Sequence, residues 1–213
     1  GFLRLRCGDC GHDKLVAFGG NRKPLLVSVR SGAPVSMPGM MDTLLNIGLC
    51  DATVHGLIRL TGNPRLAWDS YRGLVQQFAE VVHGAEAAPF RAALDAAQHE
   101  AGVDSPRELD FRQLAQLTRE FLAIFRDVAG QPFPQDPLEQ AEAAIAAVFA
   151  SWNSERAIEY RRLNDLPDSI GTAVTVQRMV FGNAGGTSGA GVAFTRDPAG
   201  GDDLRFIDPL PDR

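Results

Sequence analysis

A chain of 213 residues with 45% hydrophobic and 22% charged residues has the length and apolar content of one large or two small folded domains, which excludes a disordered polymer. Its formal charge of −5, with no block of Lys or Arg, argues against nucleic acid or an anionic membrane as a partner. No apolar run approaches the roughly 20 residues needed to cross a bilayer, and no signal peptide is visible, so the expected compartment is the cytoplasm.

Residues 1–21 are polar and glycine-rich, and read as an irregular lead-in. Within them, Cys7-Gly-Asp-Cys10-Gly-His12 has the form of a zinc-ribbon knuckle. A closed zinc site takes four ligands, and Cys50 is the only further cysteine, so an incidental thiol pair is the simpler account. Three cysteines do not make a disulfide framework.

From Pro24 the run Leu25-Leu26-Val27-Ser28-Val29 predicts a buried strand. It delivers Arg30, a turn at Ser31-Gly32, and the loop Ser36-Met37-Pro38-Gly39-Met40-Met41-Asp42-Thr43. Apolar spacing through Leu44, Leu45, Ile47 and Leu49 then predicts a short helix capped by Asp42. Strand, fixed cation, flexible loop and helix start form an order that presents backbone N–H groups and positive charge to an anion. Arg30 carries a planar fork suited to phosphate oxygens. Gly39 permits close backbone approach, while Ser36 and Thr43 offer hydroxyls. The plainer alternatives are a salt-bridged arginine and an ordinary turn.

The next hundred residues read as successive helices. Residues 51–61 form a short amphipathic piece ending at Gly62. Asn63-Pro64 opens a helix through Leu66, Trp68, Tyr71, Leu74, Val75, Phe78, Val81 and Val82, stopped by Gly84. A shorter one spans 89–100, and Asp110 with Gln113 forms a capping box ahead of Phe111, Leu114, Leu117, Phe121, Leu122, Phe125 and Val128. After Gln131-Pro132-Phe133-Pro134-Gln135, Asp136-Pro137 restarts helix, with Leu138, Ala141, Ile145, Val148, Phe149 and Trp152 on its inner face. Residues 62–166 are therefore a helical module, its aromatics mostly core.

Beyond Pro167 the pattern becomes β. Residues 172–181 predict a strand, the glycine cluster 182–191 a hairpin tip, and 192–195 the returning strand, with a last short strand at 204–207. The glycine cluster lacks both G-x-x-x-x-G-K-[ST] and a following helix, so it is not a phosphate loop of that kind.

Val29-Arg30-Ser31-Gly32-Ala33 with Ser36-Met37-Pro38-Gly39-Met40-Met41-Asp42-Thr43 resembles the nucleotide-binding domain of the pyruvate phosphate dikinase family. Agreement continues through Asn63-Pro64-Arg65, Phe133-Pro134-Gln135-Asp136-Pro137, Ser151-Trp152, Gly171-Thr172-Ala173-Val174, Met179-Val180-Phe181-Gly182-Asn183 and Gly191-Val192-Ala193-Phe194-Thr195-Arg196. The resemblance implies an α+β fold: an ATP-grasp-like mixed or antiparallel sheet from residues 22–61 and 167–213, with residues 62–166 as an inserted helical bundle. It implies ATP with Mg²⁺, with Arg30 as catalytic and phosphate-contacting residue and Gly39 in the loop near the transferred phosphate. Gln177, Met179 and Val180 would lie at the adenine, and Asp208 would be a candidate Mg²⁺ ligand. The family phosphorylates a histidine on a separate domain using ATP and phosphate, then passes the phosphoryl group to pyruvate, giving AMP, pyrophosphate and phosphoenolpyruvate. No Gly-Gly-Lys occurs here, and neither does the family's histidine context, so the chain reads as part of that domain, incomplete at both ends and inactive alone. The alternative is an inactive remnant acting as a helical interaction module, with a homodimer as its candidate assembly.

Overall fold

A helical layer covers one face of a small sheet, and on the other face Arg30, Thr175 and Gln177 are exposed. The computed structural model describes residues 2–6, 13–17, 26–35, 37–183, 188–197, 200–203 and 206–210; for 2–6, 13–17, 206 and 208–210 it describes the backbone alone. Strands β1 (Phe2–Arg6) and β2 (Asp13–Ala17) pair antiparallel from Phe2↔Ala17 to Arg6↔Asp13. The supposed irregular lead-in therefore contains a hairpin. Its sequence signal is the alternation Phe2-Leu3-Arg4-Leu5-Arg6, too short to stand out among glycines. The Cys7 to His12 run lies outside the described residues.

The central sheet has the order β4-β3-β5, with β3 (Val27–Gly32) between β4 (Thr43–Ile47) and β5 (Ala173–Arg178), both antiparallel to it. The helix expected after Asp42 is thus a strand. Apolar spacing over five residues fits either period, and pairing with β3 decides it: Leu44 and Ile47 turn inward while Leu45 is exposed. The glycine cluster does not join β5 to a neighbouring strand either. Val174 and Val176 pack toward the helical core, which commits β5 to β3. The returning strand β6 (Ala190–Phe194) pairs instead with β7 (Phe206–Leu210). Their turn is closed by Gly201 N–H donating to Asp197 O at 2.8 Å.

Among the described residues, five helices follow the expected punctuation, α1 (Asp51–Thr61), α2 (Pro64–His83), α3 (Ala88–Ala101), α4 (Phe111–Ala129) and α5 (Pro137–Ala150), and a sixth that was not expected, α6 (Glu155–Leu163), opens at the N-cap Ser154. Asn63 Oδ1 accepts from Leu66 N–H at 3.0 Å, opening α2. The Asp110–Gln113 capping box is reciprocal, at 2.9 Å and 2.7 Å. Sheet and helices share one core, in which Val29, Leu44 and Ile47 meet Leu74, Phe78, Phe121, Phe125 and Phe133. Phe133, from the proline-bounded loop, stands edge-on to Phe78 and Phe125 at 5.4 Å and 5.3 Å between ring centres. Phe149 is not on the inner face of α5, being 48% exposed. Ala141, Ala144 and Val148 form the inward stripe, and Phe149 lies about 100° around the helix from Val148.

His83 ends α2 edge-on to Phe125 at 5.3 Å and tilted against Phe78 at 6.1 Å. Desolvation lowers its pKa from the usual 6.5. The folded state therefore resists a proton that the unfolded chain accepts, and stability present above that value is lost as pH falls from it toward the folded pKa. The melting midpoint should drop between pH 7 and pH 5, and His83→Gln should flatten part of that drop, as read by circular dichroism.

Candidate functional site

Antiparallel partners project from the same face of a sheet, so the register places side chains without further assumption. Arg30 is opposite Thr43 on β4 and Thr175 on β5. Its neighbour Val29 is wholly buried against the helices, while Arg30 is exposed. The open face therefore carries a row of Thr43, Arg30 and Thr175: two hydroxyls flanking a guanidinium. Among the described residues, that guanidinium has no acidic partner within ion-pair distance.

Above this row the loop from Ala33 to Asp42 arches from β3 to β4. Arg30, Ser31, Gly32, Pro38, Gly39 and Thr43 contribute to the lining of an open cleft of about 520 Å³. Met40 N–H donates to Met37 O at 3.2 Å, which folds the loop tip. Gly39 there has φ +72°, and a Cβ added to it would meet nothing within 4 Å. Its backbone conformation, not crowding, asks for glycine. Because a strand follows the loop, the helix start expected at Asp42 is not there to face this cleft. Anion donors here are the guanidinium, the hydroxyls and the loop amides.

The loop's return is held from both sides. Gln77 on α2 donates to Thr43 O at 2.8 Å and accepts from Leu45 N–H at 2.9 Å, satisfying the free edge of β4. On the other side, Arg156 Nε donates to Met40 O at 3.2 Å, its Nη2 pairs with Asp42, and Asp42 N–H donates to Ser151 Oγ at 3.2 Å. Asp42, expected to cap a helix, anchors the loop instead.

The remaining predicted residues fall in several places. Gln177 is exposed and pairs with Ser28, two positions along β3 from Arg30, or about 7 Å. Met179 donates its N–H to Leu26 O at 2.8 Å and packs its side chain against the core. Val180 is 88% exposed. Neither contributes to the lining of the cleft around Arg30. Ser36 lies outside the described residues. Asp208 sits on β7 opposite Val192, in a sheet separate from the one that carries Arg30. Among the described residues, no three His, Cys, Asp or Glu side chains converge as a metal site.

Thr175, Gln77 and Arg156 were not singled out from the sequence. Thr175 had a signal, since it alternates with Val174 and Val176. Gln77 and Arg156 act across 34 and 116 residues of chain, and nothing local marks them.

The sequence model of the family described as pyruvate phosphate dikinase, AMP/ATP-binding domain, matches residues 12–209. Pyruvate, phosphate dikinase of Clostridium symbiosum is 51% identical over 186 residues, covering 87% of this chain and 21% of that protein. Its counterpart in Giardia intestinalis is 50% identical over 190 residues, covering 89% and 22% respectively. The chloroplastic pyruvate, phosphate dikinase 1 of Arabidopsis thaliana is 48% identical over 180 residues, 84% of this chain and 19% of the relative. The chain thus spans about a fifth of the length of these relatives. Among the described residues, no helix is long and apolar enough to cross a membrane.

Proposed function

This chain belongs to the pyruvate phosphate dikinase AMP/ATP-binding domain family, and from that premise we propose that its open cleft receives the phosphate chain of ATP. The observation that carries the proposal is that Arg30, exposed, lines one cleft with Thr43 and the loop residues Pro38 and Gly39, while Thr175 flanks Arg30 on its other side in the sheet. Arg30 supplies a permanent charge and a bidentate fork to phosphate oxygens, and the threonine hydroxyls and loop amides complete the cradle. An extended nucleotide laid along β3 from Arg30 runs past Gln177 toward the Met179–Val180 segment, where backbone groups and apolar side chains would meet adenine. Gly39 keeps the loop tip free of a side chain where it approaches the phosphates.

In this proposal the domain positions ATP for phosphoryl transfer to a histidine carried on a separate domain, a step in phosphoenolpyruvate formation. Such a transfer asks the protein chiefly for positioning and charge neutralisation, which Arg30 and the loop provide. Mg²⁺ would arrive with ATP on the nucleotide's own phosphates, with at most one or two carboxylates such as Asp208, in keeping with how this ion is usually held. Calorimetric titration of the full-length protein with Mg-ATP tests the assignment. Saturable binding that Arg30→Ala weakens supports it; binding indifferent to Arg30→Ala overturns it.

A second reading, a helical interaction module, draws on the exposed Phe149, Ile158 and Leu163 of α5 and α6. A homodimer through that face would appear as concentration-dependent mass in sedimentation equilibrium.

A further inference from the structure

We propose that Arg156 is a positioning residue for the loop over the cleft, fixing the Pro38–Gly39 tip by holding the Met40 carbonyl and the Asp42 carboxylate together. The inference rests on the cleft being the ATP site, and it assigns the control of that site to a residue that contributes nothing to its lining.

Within the described part of the loop the backbone makes one internal hydrogen bond, Met40 to Met37, and Gly39 offers no side chain. Three bonds from a segment more than a hundred residues away close the gap. Arg156 reaches Met40 O through Nε and Asp42 Oδ1 through Nη2, and Ser151 Oγ receives Asp42 N–H. Ser151 is itself fixed, since its hydroxyl donates to Val148 O at 2.8 Å on the buried stripe of α5. The loop's return is thus referred to the core through one hydroxyl and one guanidinium.

Two features show that these contacts serve the loop and not global stability. The side chains of the pair are 52% and 25% exposed, a setting in which ion pairs stabilise a fold only slightly. Arg156 also sits in the first turn of α6, whose N-cap is Ser154, where the helix dipole disfavours a cation. Asp42 offsets that placement. A planar fork with two donors in fixed relation can satisfy a carbonyl and a carboxylate at once, whereas a lysine ammonium cannot reproduce both from the same position.

The test uses the full-length protein with Arg156→Ala, Arg156→Lys, Asp42→Asn and Arg30→Ala. Three measurements are made: the Kd for Mg-ATP by calorimetry, hydrogen exchange of amides 39–42, and the melting midpoint. With the anchor removed, Arg156→Ala should keep its melting midpoint, exchange those amides faster and bind ATP about tenfold more weakly, through a smaller population of the competent loop. Arg156→Lys should recover only part of the affinity. Adding Asp42→Asn to Arg156→Ala should cost little more than either alone, as expected of one shared contact. Wild-type affinity and exchange in Arg156→Ala, with Arg30→Ala impaired, would overturn the anchor while leaving the ATP site standing. If Arg30→Ala also binds normally, the ATP site falls, and unchanged exchange in Arg156→Ala would take the anchor with it. Should Arg156→Ala fail to fold, Asp42→Ala removes the acceptor of Arg156 Nη2 without touching α6 and must show the faster exchange and weaker binding by itself.

Discussion

Gln140→Leu is expected to lower the stability of the fold by about 3 to 5 kcal/mol, more than a surface substitution could, because it orphans two buried backbone groups and a partly buried one at once. Gln140 is fully buried on α5. Its Oε1 accepts from Gly48 N–H at 2.9 Å, and its Nε2 donates to Leu49 O at 2.9 Å and to Pro134 O at 2.7 Å. Leucine nearly matches the volume, so a cavity contributes little. The loss comes from unsatisfied groups of about 1 to 3 kcal/mol each. Those groups belong to the turn after β4 and to the loop that carries Phe133, so one amide ties together sheet, helix and aromatic cap. Urea unfolding followed by fluorescence measures the change; a loss under about 1 kcal/mol would show that neighbouring backbone rearranges to pair itself.

Arg30→Ala is expected to weaken Mg-ATP binding by roughly a hundredfold, or about 3 kcal/mol, the scale of a lost charge-assisted bidentate contact. Because the side chain is exposed and has no ion pair among the described residues, its removal should leave the melting midpoint close to wild type. Affinity and stability therefore separate, which distinguishes a ligand-facing arginine from a structural one. Arg30→Lys keeps the charge but not the fork and should recover only part of the binding. An Arg30→Ala protein that loses melting temperature and affinity together would assign the residue to the scaffold.

Much of this was legible before coordinates. Helix starts at Asn63, Asp110 and Asp136 carry their caps in sequence, because capping is chemistry within a few residues. Arg30 and Gly39 were singled out from sequence as neighbours of one loop, and the structure has both lining one cleft. What was missed is non-local. The period of residues 43–47 fits helix or strand, and only the partner strand β3 resolves it. The choice of β3 over β6 as the neighbour of β5 depends on which face the helices bury. Gln77 and Arg156 look like ordinary polar residues on solvated helix faces, and their role exists only once the chain has closed on itself. Family resemblance drew attention to the loop between Ser36 and Thr43 but not to the bonds that hold it.

The conformation of Gly39 separates handedness from size. Nothing stands within 4 Å of where an L-Cβ would be, so the strain an L-residue would meet there comes from backbone handedness and not from crowding. A D-alanine introduced there by segment ligation would find φ +72° in its own favoured backbone region and would narrow the choices open to the unfolded loop. The mirror-image residue should thus stiffen the tip where its natural enantiomer would distort it, making chirality the cleanest probe of how this strap is shaped.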